Sequence, residues 1–208
     1  MIPIRNGHRD RRQVALTFDD APHPRLTPLL LEVLRHHDVT ATFFCTGEQV
    51  EAYPALTREV VARGHEAGNH GYRHLDLTTL SCRGAREEIW RTQETMKSAT
   101  GSRPCLFRPP FGLYGPRELG LAAREGLLFV LWDVDPRDFE LAEESQLRRE
   151  ISRAVNPGSI ILLHTNREIT VRALPRILED LWARGLEPVL LKTLLGDAAD
   201  PPSSRATD

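Results

Sequence analysis

Two adjacent aspartates, Asp19 and Asp20, and two histidines four residues apart, His70 and His74, are the residue types that could hold one divalent metal. Side chains of neighbours at a strand end point different ways, so one carboxylate of such a pair can bind an ion while the other stays free as a base. Without a cation between them, two carboxylates so close would repel. Two histidines with one carboxylate form a common catalytic zinc set with a position left open for water. Cobalt or iron would accept the same donors. Gly68 and Gly71 around the histidines argue for a loop that turns both imidazoles toward one point rather than for one helix face.

Three further pieces fit beside them. His164 ends the apolar run Ile160, Ile161, Leu162, Leu163 and could act as a general acid near neutral pH if a carboxylate held it protonated. Asp138 is the candidate for that carboxylate. Arg108 could pair with Asp19 and keep it ionised. Pro109 and Pro110 after it favour a stiff extended segment that exposes backbone N–H groups along a groove wall. Each piece alone has a plain structural reading: a solvated Asp-Asp turn, a core histidine, a surface ion pair worth little.

The elements that must carry these residues alternate from end to end. Strands are predicted at 14–18, 42–45, 66–69, 105–107, 127–134, 159–163 and 188–191. Helices are predicted at 29–37, 53–63, 85–100, 116–125, 145–155 and 171–184. Thr27 and Pro28 read as an N-cap followed by proline at the first helical position, and Gly64, Gly101, Gly126 and Gly185 as C-terminal stops. Seven β-then-α units imply an α/β fold with a parallel sheet, either a closed barrel or an open doubly wound sheet. In both, the C-terminal strand ends share the face that hosts chemistry. The five candidate motifs all fall at that face.

Bulk properties set the remaining bounds. The 208 residues suit one domain, spanning 13–195, with 40% hydrophobic and 27% charged residues as in ordinary globular chains. A net charge of -2 gives no reason to expect nucleic acid or an anionic membrane as partner. Cys45, Cys82 and Cys105 form neither a disulfide framework nor a thiolate zinc pattern. Residues 1–12 are polar and basic, unlike a signal peptide, and no run reaches membrane-spanning length, so the chain reads as cytosolic or as trimmed from a longer secreted protein. Residues 196–208 read as a disordered tail.

With these motifs in this order, residues 13 to 193 resemble the polysaccharide deacetylase family, also described as the NodB-homology domain or carbohydrate esterase family 4. The resemblance implies a distorted (β/α)7 barrel. It makes Asp19 the catalytic base, Asp20, His70 and His74 the ligands of one divalent metal, most often Zn2+, and His164 the acid. It gives Arg108 the role of orienting the base, and Asp138 that of tuning the acid. The backbone N–H of Phe111 would help to stabilise an oxyanion, with Pro110 and Phe139 on the substrate groove. The implied reaction is removal of N-acetyl groups from glycans containing N-acetylglucosamine. O-acetyl ester hydrolysis on xylan, hydrolysis of another small amide, and a sugar-binding barrel without catalysis are the alternatives. Four positions depart from the family pattern: Ala21 stands for glycine, Gly71 for serine or threonine, Phe111 for tyrosine and Phe139 for tryptophan. The loss of a hydroxyl at Gly71 implies a less firmly braced second histidine.

Overall fold

The computed structural model describes residues 2–196. The expected tail, apart from Gly196, lies outside the described residues. The strands are β1 (Gln13–Ala21), β2 (Thr42–Cys45), β3 (Glu66–Asn69), β4 (Leu106–Phe107), β5 (Leu128–Phe129), β6 (Ile160–His164) and β7 (Glu187–Pro188). The helices are α1 (Leu26–His36), α2 (Gly47–Ala52), α3 (Pro54–Ala62), α4 (Cys82–Thr100), α5 (Pro116–Arg124), α6 (Glu144–Ala154), α7 (Glu168–Ala183) and α8 (Leu191–Leu195). Every strand pairing is parallel, in the order β5-β4-β3-β2-β1-β6, with β7 beside the start of β1.

The sheet curls until its edges meet. After β5 the chain leaves the ladder and crosses to β6, where Val134 bridges Ile161 and the N–H of Leu162 donates to the carbonyl of Val134. This crossing is why the strand predicted at 127–134 is regular only over Leu128–Phe129. The N-terminal segment runs across the same gap, with Ile4 bridging Val130 and Asn6 bridging Ser159. The result is the curled parallel sheet of a distorted (β/α)7 barrel.

Period-2 alternation then sorts the side chains. On the outer face Leu16, Phe18, Phe43, Ile161 and Leu163 pack under the helices, against Leu30, Leu31, Leu34 and Leu174. On the inner face Ala15, Phe44, Leu106 and Ile160 form a second cluster closed by Leu191 and Leu194 of α8. Gly68 is needed there, because a Cβ would lie 2.6 Å from Cδ1 of Phe44. Nearer the C-terminal ends that inner face turns polar: Thr17 and Arg108 follow the apolar floor two residues on, and Asp19 and His164 follow it four residues on.

Three boundaries differ from the sequence expectation. Thr27 lies inside α1, which starts at Leu26, and it is the Nδ1 of His23 that accepts the N–H groups of Arg25 and Leu26. The run after Pro188 turns into α8, a length at which apolar residues fit strand and helix equally. Residues 47–52 form the short helix α2 just ahead of α3. Cys45, Cys82 and Cys105 are all free. Among the described residues no helix is long and apolar enough to cross a membrane.

Candidate active site

Asp19 and Asp20 separate because β1 is irregular where they sit. The register with β2 slips between Phe18 and Ala21, and Asp20 takes a left-handed φ of 61°. A bulge re-aims side chains in this way, and aspartate tolerates the left-handed region better than most residues. Asp19 therefore stays on the inner face, 3% exposed, while Asp20 turns toward His74. The carbonyl oxygens of both accept the hydroxyl of Thr165, at 3.0 and 2.8 Å.

Arg108 fills the barrel beneath Asp19 and is fully buried. Its NH1 donates to Asp19 Oδ1 at 2.6 Å and to Thr17 Oγ1 at 2.9 Å, and its NH2 to the carbonyl of Leu131 at 3.0 Å. The guanidinium lies 4.1 Å from the Phe44 ring centroid. Burial raises the carboxyl of Asp19, yet Arg108, His70 and His164 together hold it below the usual carboxylate range. The arrangement keeps a buried base ionised.

His70 follows β3 and its Nδ1 lies 2.8 Å from the carbonyl of Arg108. A carbonyl only accepts, so Nδ1 carries a proton, and Nε2 is the ring nitrogen turned to the cavity side where an ion could sit. His74 has its Nε2 3.5 Å from Asp20 Oδ1. Burial first, then the neighbouring His70, hold His74 below the ordinary histidine value, against the pull of Asp20 and Asp19. The lowering favours the neutral form, the one that could ligate a metal. One donor atom each from Asp20, His70 and His74 lie within 4.8 Å of one another. A hard oxygen and two imidazole nitrogens, with the His70 ring held at Nδ1, fit a divalent ion.

Opposite them stands His164 at the end of β6. Its Nδ1 is 2.6 Å from Asp138 Oδ1, and its backbone N–H donates to Asp138 Oδ2 at 2.8 Å. Asp138 is 1% exposed and also accepts from Thr170 Oγ1 at 2.6 Å. Burial works against a charged imidazole, but the hydrogen bond and charge of Asp138, with Asp19 and Asp20, raise His164 above its ordinary value.

These groups share a cavity of about 390 Å³ with Phe111, Trp132, Asp135, Phe139, Leu162 and Arg167. Phe111 has a left-handed φ of 60° and is 61% exposed, and its N–H meets no acceptor among the described residues. Its ring sits edge-on to His74 at 4.5 Å, as Phe139 sits edge-on to His164 at 5.5 Å. Pro110 is buried behind this wall. Tyr114, three residues on from Phe111, packs instead on Phe129. Of the ten residues expected at the site, Asp19, Asp20, His70, His74, Phe111, Phe139 and His164 line this cavity, while Arg108 and Asp138 bond to Asp19 and His164 from behind it and Pro110 precedes Phe111 in the chain.

Sequence reading missed several partners. Asn166 donates to Asp20 Oδ2 at 3.0 Å, occupying one oxygen and leaving Oδ1 toward the histidines. Thr165 and Arg167 flank it. Their only signal was adjacency to His164. Glu88 had a clearer one: it falls on the buried stripe of α4 with Ala85, Ile89, Thr92 and Met96, where a carboxylate is out of place.

The curled parallel barrel thus gathers at its mouth a carboxylate and two imidazoles that could hold a metal, beside the buried Asp19 and the carboxylate-held His164. The family profile described as polysaccharide deacetylase matches residues 6–130. The chain is 37% identical over 205 residues to a chitooligosaccharide deacetylase of Bradyrhizobium sp. (strain ANU 289), covering 90% of this chain and 94% of that one. It is 32% identical over 193 residues to a peptidoglycan-N-acetylglucosamine deacetylase of Bacillus cereus, covering 91% and 70%. A crystal structure of a peptidoglycan N-acetylglucosamine deacetylase superposes with a TM-score of 0.90 at 32% identity over 92% of each chain. So does a CE4 family pseudoenzyme from Bacillus anthracis, with a TM-score of 0.90 at 30% identity over 94% of this chain and 69% of that one. This chain belongs to the polysaccharide deacetylase family. It is a deacetylase, of a family that hydrolyses amides.

Proposed function

We propose that this protein is a metal-dependent de-N-acetylase of glycans containing N-acetylglucosamine, of the chito-oligosaccharide or peptidoglycan type. One observation carries the reading: a buried Asp19 bonded to Arg108 and a His164 bonded to Asp138 face the same cavity as the Asp20, His70 and His74 donor set. Binding alone needs no such pair, and an amide needs both, because its amine leaves poorly without a proton.

A divalent ion held by Asp20, His70 and His74, zinc being the first choice for this donor set and cobalt an alternative, supplies Lewis acidity that polarises the acyl oxygen and acidifies a water. The chain's own groups do the rest. Asp19 accepts the proton of the attacking water as its oxygen bonds to the acetamide carbon. The N–H of Phe111 donates to the oxyanion that develops on the acyl oxygen. His164, with Nδ1 held by Asp138, gives the proton on Nε2 to the leaving nitrogen. The C–N bond breaks, releasing acetate and a free amine. Arg108 keeps Asp19 aimed and charged throughout. The cavity is at the small end of ligand pockets, roughly 300–1,000 Å³, and fits the acetamido end of one sugar between Phe111 and Phe139.

The test is acetate release together with mass loss per acetyl group, measured on chito-oligosaccharides, peptidoglycan and acetylated xylan. Turnover of either N-acetylated glycan is expected. Acetate from xylan alone would move the assignment to an O-acetyl esterase, and acetate from none would leave a barrel of the pseudoenzyme kind.

A further inference from the structure

The loop between the two imidazoles carries one of the four departures from the family pattern, Gly71. Gly71 sits at φ 75°, in the left-handed region where serine or threonine is strained. The glycine therefore suits the turn, but it brings no hydroxyl. Something else must fix His74, whose own φ is 56°.

The fixing groups come from outside the loop. The N–H of Gly71 donates to Asn69 Oδ1 at 2.9 Å. The carbonyls of Gly71 and Tyr72 accept from the N–H groups of Gly47 and Glu48 at the start of α2, each at 3.0 Å. The N–H groups of Tyr72 and Arg73 converge on one oxygen, Oε2 of Glu88, at 3.1 and 2.7 Å. The other oxygen of Glu88 accepts from Arg73 Nε at 2.8 Å. Glu88 is 2% exposed, and α4 holds it over four turns of packed helix. It is the charged member of this set. Two consecutive backbone N–H groups aimed at a buried carboxylate form a small anion nest, and charge-assisted bonds of this kind are about twice as strong as neutral ones.

We propose that Glu88 is a positioning residue for the metal site, setting the His70-to-His74 loop through the Tyr72 and Arg73 amides. The inference rests on the reading of Asp20, His70 and His74 as metal ligands. The competing explanation is that Glu88 merely neutralises Arg73. The two differ in what they need: bracing uses the backbone N–H groups, which no side-chain change at Arg73 removes, whereas neutralisation uses the half-exposed guanidinium.

Metal-stripped protein is titrated with Zn2+ against a chromophoric chelator, and the melting temperature of the stripped protein is recorded for each variant. Glu88→Ala is expected to weaken zinc roughly 10–100-fold, the usual cost of losing a group that orients ligands. Arg73→Ala is expected to stay within about threefold of wild type, since the amides keep their acceptor. Glu88→Gln keeps an oxygen for the amides but turns an NH2 toward Arg73, so it is expected to fall between. Adding Arg73→Ala to Glu88→Gln should then restore zinc binding toward wild type, a rescue that loss of packing would not produce. If Glu88→Ala does not fold, the Gln variant and its rescue still decide. Unchanged zinc affinity in Glu88→Ala or Glu88→Gln, or an equal loss in Arg73→Ala, overturns the inference. A wild type that takes up no zinc overturns the metal reading itself and this inference with it.

Discussion

Asp138 holds His164 at two points, one oxygen on the imidazole Nδ1 at 2.6 Å and the other on the backbone N–H at 2.8 Å. The grip fixes ring orientation and protonation together. Because the buried carboxylate raises His164, the acid form persists to higher pH than for a free histidine. Activity that needs this proton is lost as pH rises through the raised value. The kcat/KM profile should therefore have an alkaline limb above the ordinary histidine value of about 6.5. In Asp138→Asn that limb should move to lower pH. A limb that stays in place in the variant would show that another group tunes the acid.

Asp19 and Asp20 are neighbours to which the proposed mechanism gives different tasks, and one substitution separates them. Asp19→Asn preserves shape and cannot accept a proton at neutral pH. Turnover should fall about 10²- to 10⁴-fold, the range for loss of a general base, while zinc content stays near one equivalent. Measuring metal and rate on the same preparation checks this. Loss of metal with loss of rate would mean that the two roles are exchanged.

The chemistry was legible in the sequence because it sits at strand ends, and strand ends could be read from alternation. Asp19, Arg108 and His164 end or follow apolar β runs and His70 follows the short β3, so parallel topology brings these four to one face, while Asp138 arrives on the segment after the crossing. What could not be read is whatever depends on a local irregularity or a distant helix. The bulge that turns Asp20 away from Asp19 leaves no composition signal. The crossing at residues 130–134 that closes the barrel looks like continued strand. Trp132 lies on that crossing, where it lines the cavity, packs against the apolar clusters and has its ring centroid 5.4 Å from the Arg108 guanidinium. Glu88 was visible as a polar residue on an apolar stripe, but its partners lie 15 and 16 residues back along the chain.

A histidine remote from the site should govern acid stability. His65 is 6% exposed, and its Nδ1 accepts the N–H of Ala41 at 3.2 Å. Burial, then the charge of Arg63, lower it to about 4. Between that value and its ordinary 6.5 the unfolded chain binds the proton and the folded one does not. Stability therefore rises with pH across this window and is lost as pH falls from 6.5 toward 4, by at most about 1.4 kcal/mol per pH unit from this one group. Urea unfolding at a series of pH values should show a shallower slope in His65→Gln, which cannot titrate and keeps an oxygen for the Ala41 amide. An identical slope would assign the acid loss to other groups.

Phe111 and Phe139 set the last expectation, which concerns the substrate. The two rings stand exposed on the cavity lining, edge-on to His74 and His164, with the Arg137 guanidinium 5.8 Å from the Phe139 centroid. An apolar ring at a groove rim contributes by stacking on a sugar face, worth about 0.5–1.5 kcal/mol for a paired ring. Phe139→Ala should accordingly raise KM for chito-oligosaccharides roughly 2- to 12-fold with a smaller change in kcat, because a stacked sugar is held equally in ground and transition states. Phe111→Ala should do the same for KM and leave the oxyanion donor in place, since that donor is its backbone N–H. Phe139→Trp, which enlarges the ring, should hold KM at or below the wild-type value. Steady-state kinetics on oligomers of defined length would decide it: a fall in kcat with KM unchanged in Phe139→Ala would mean that the ring orients His164 rather than the sugar.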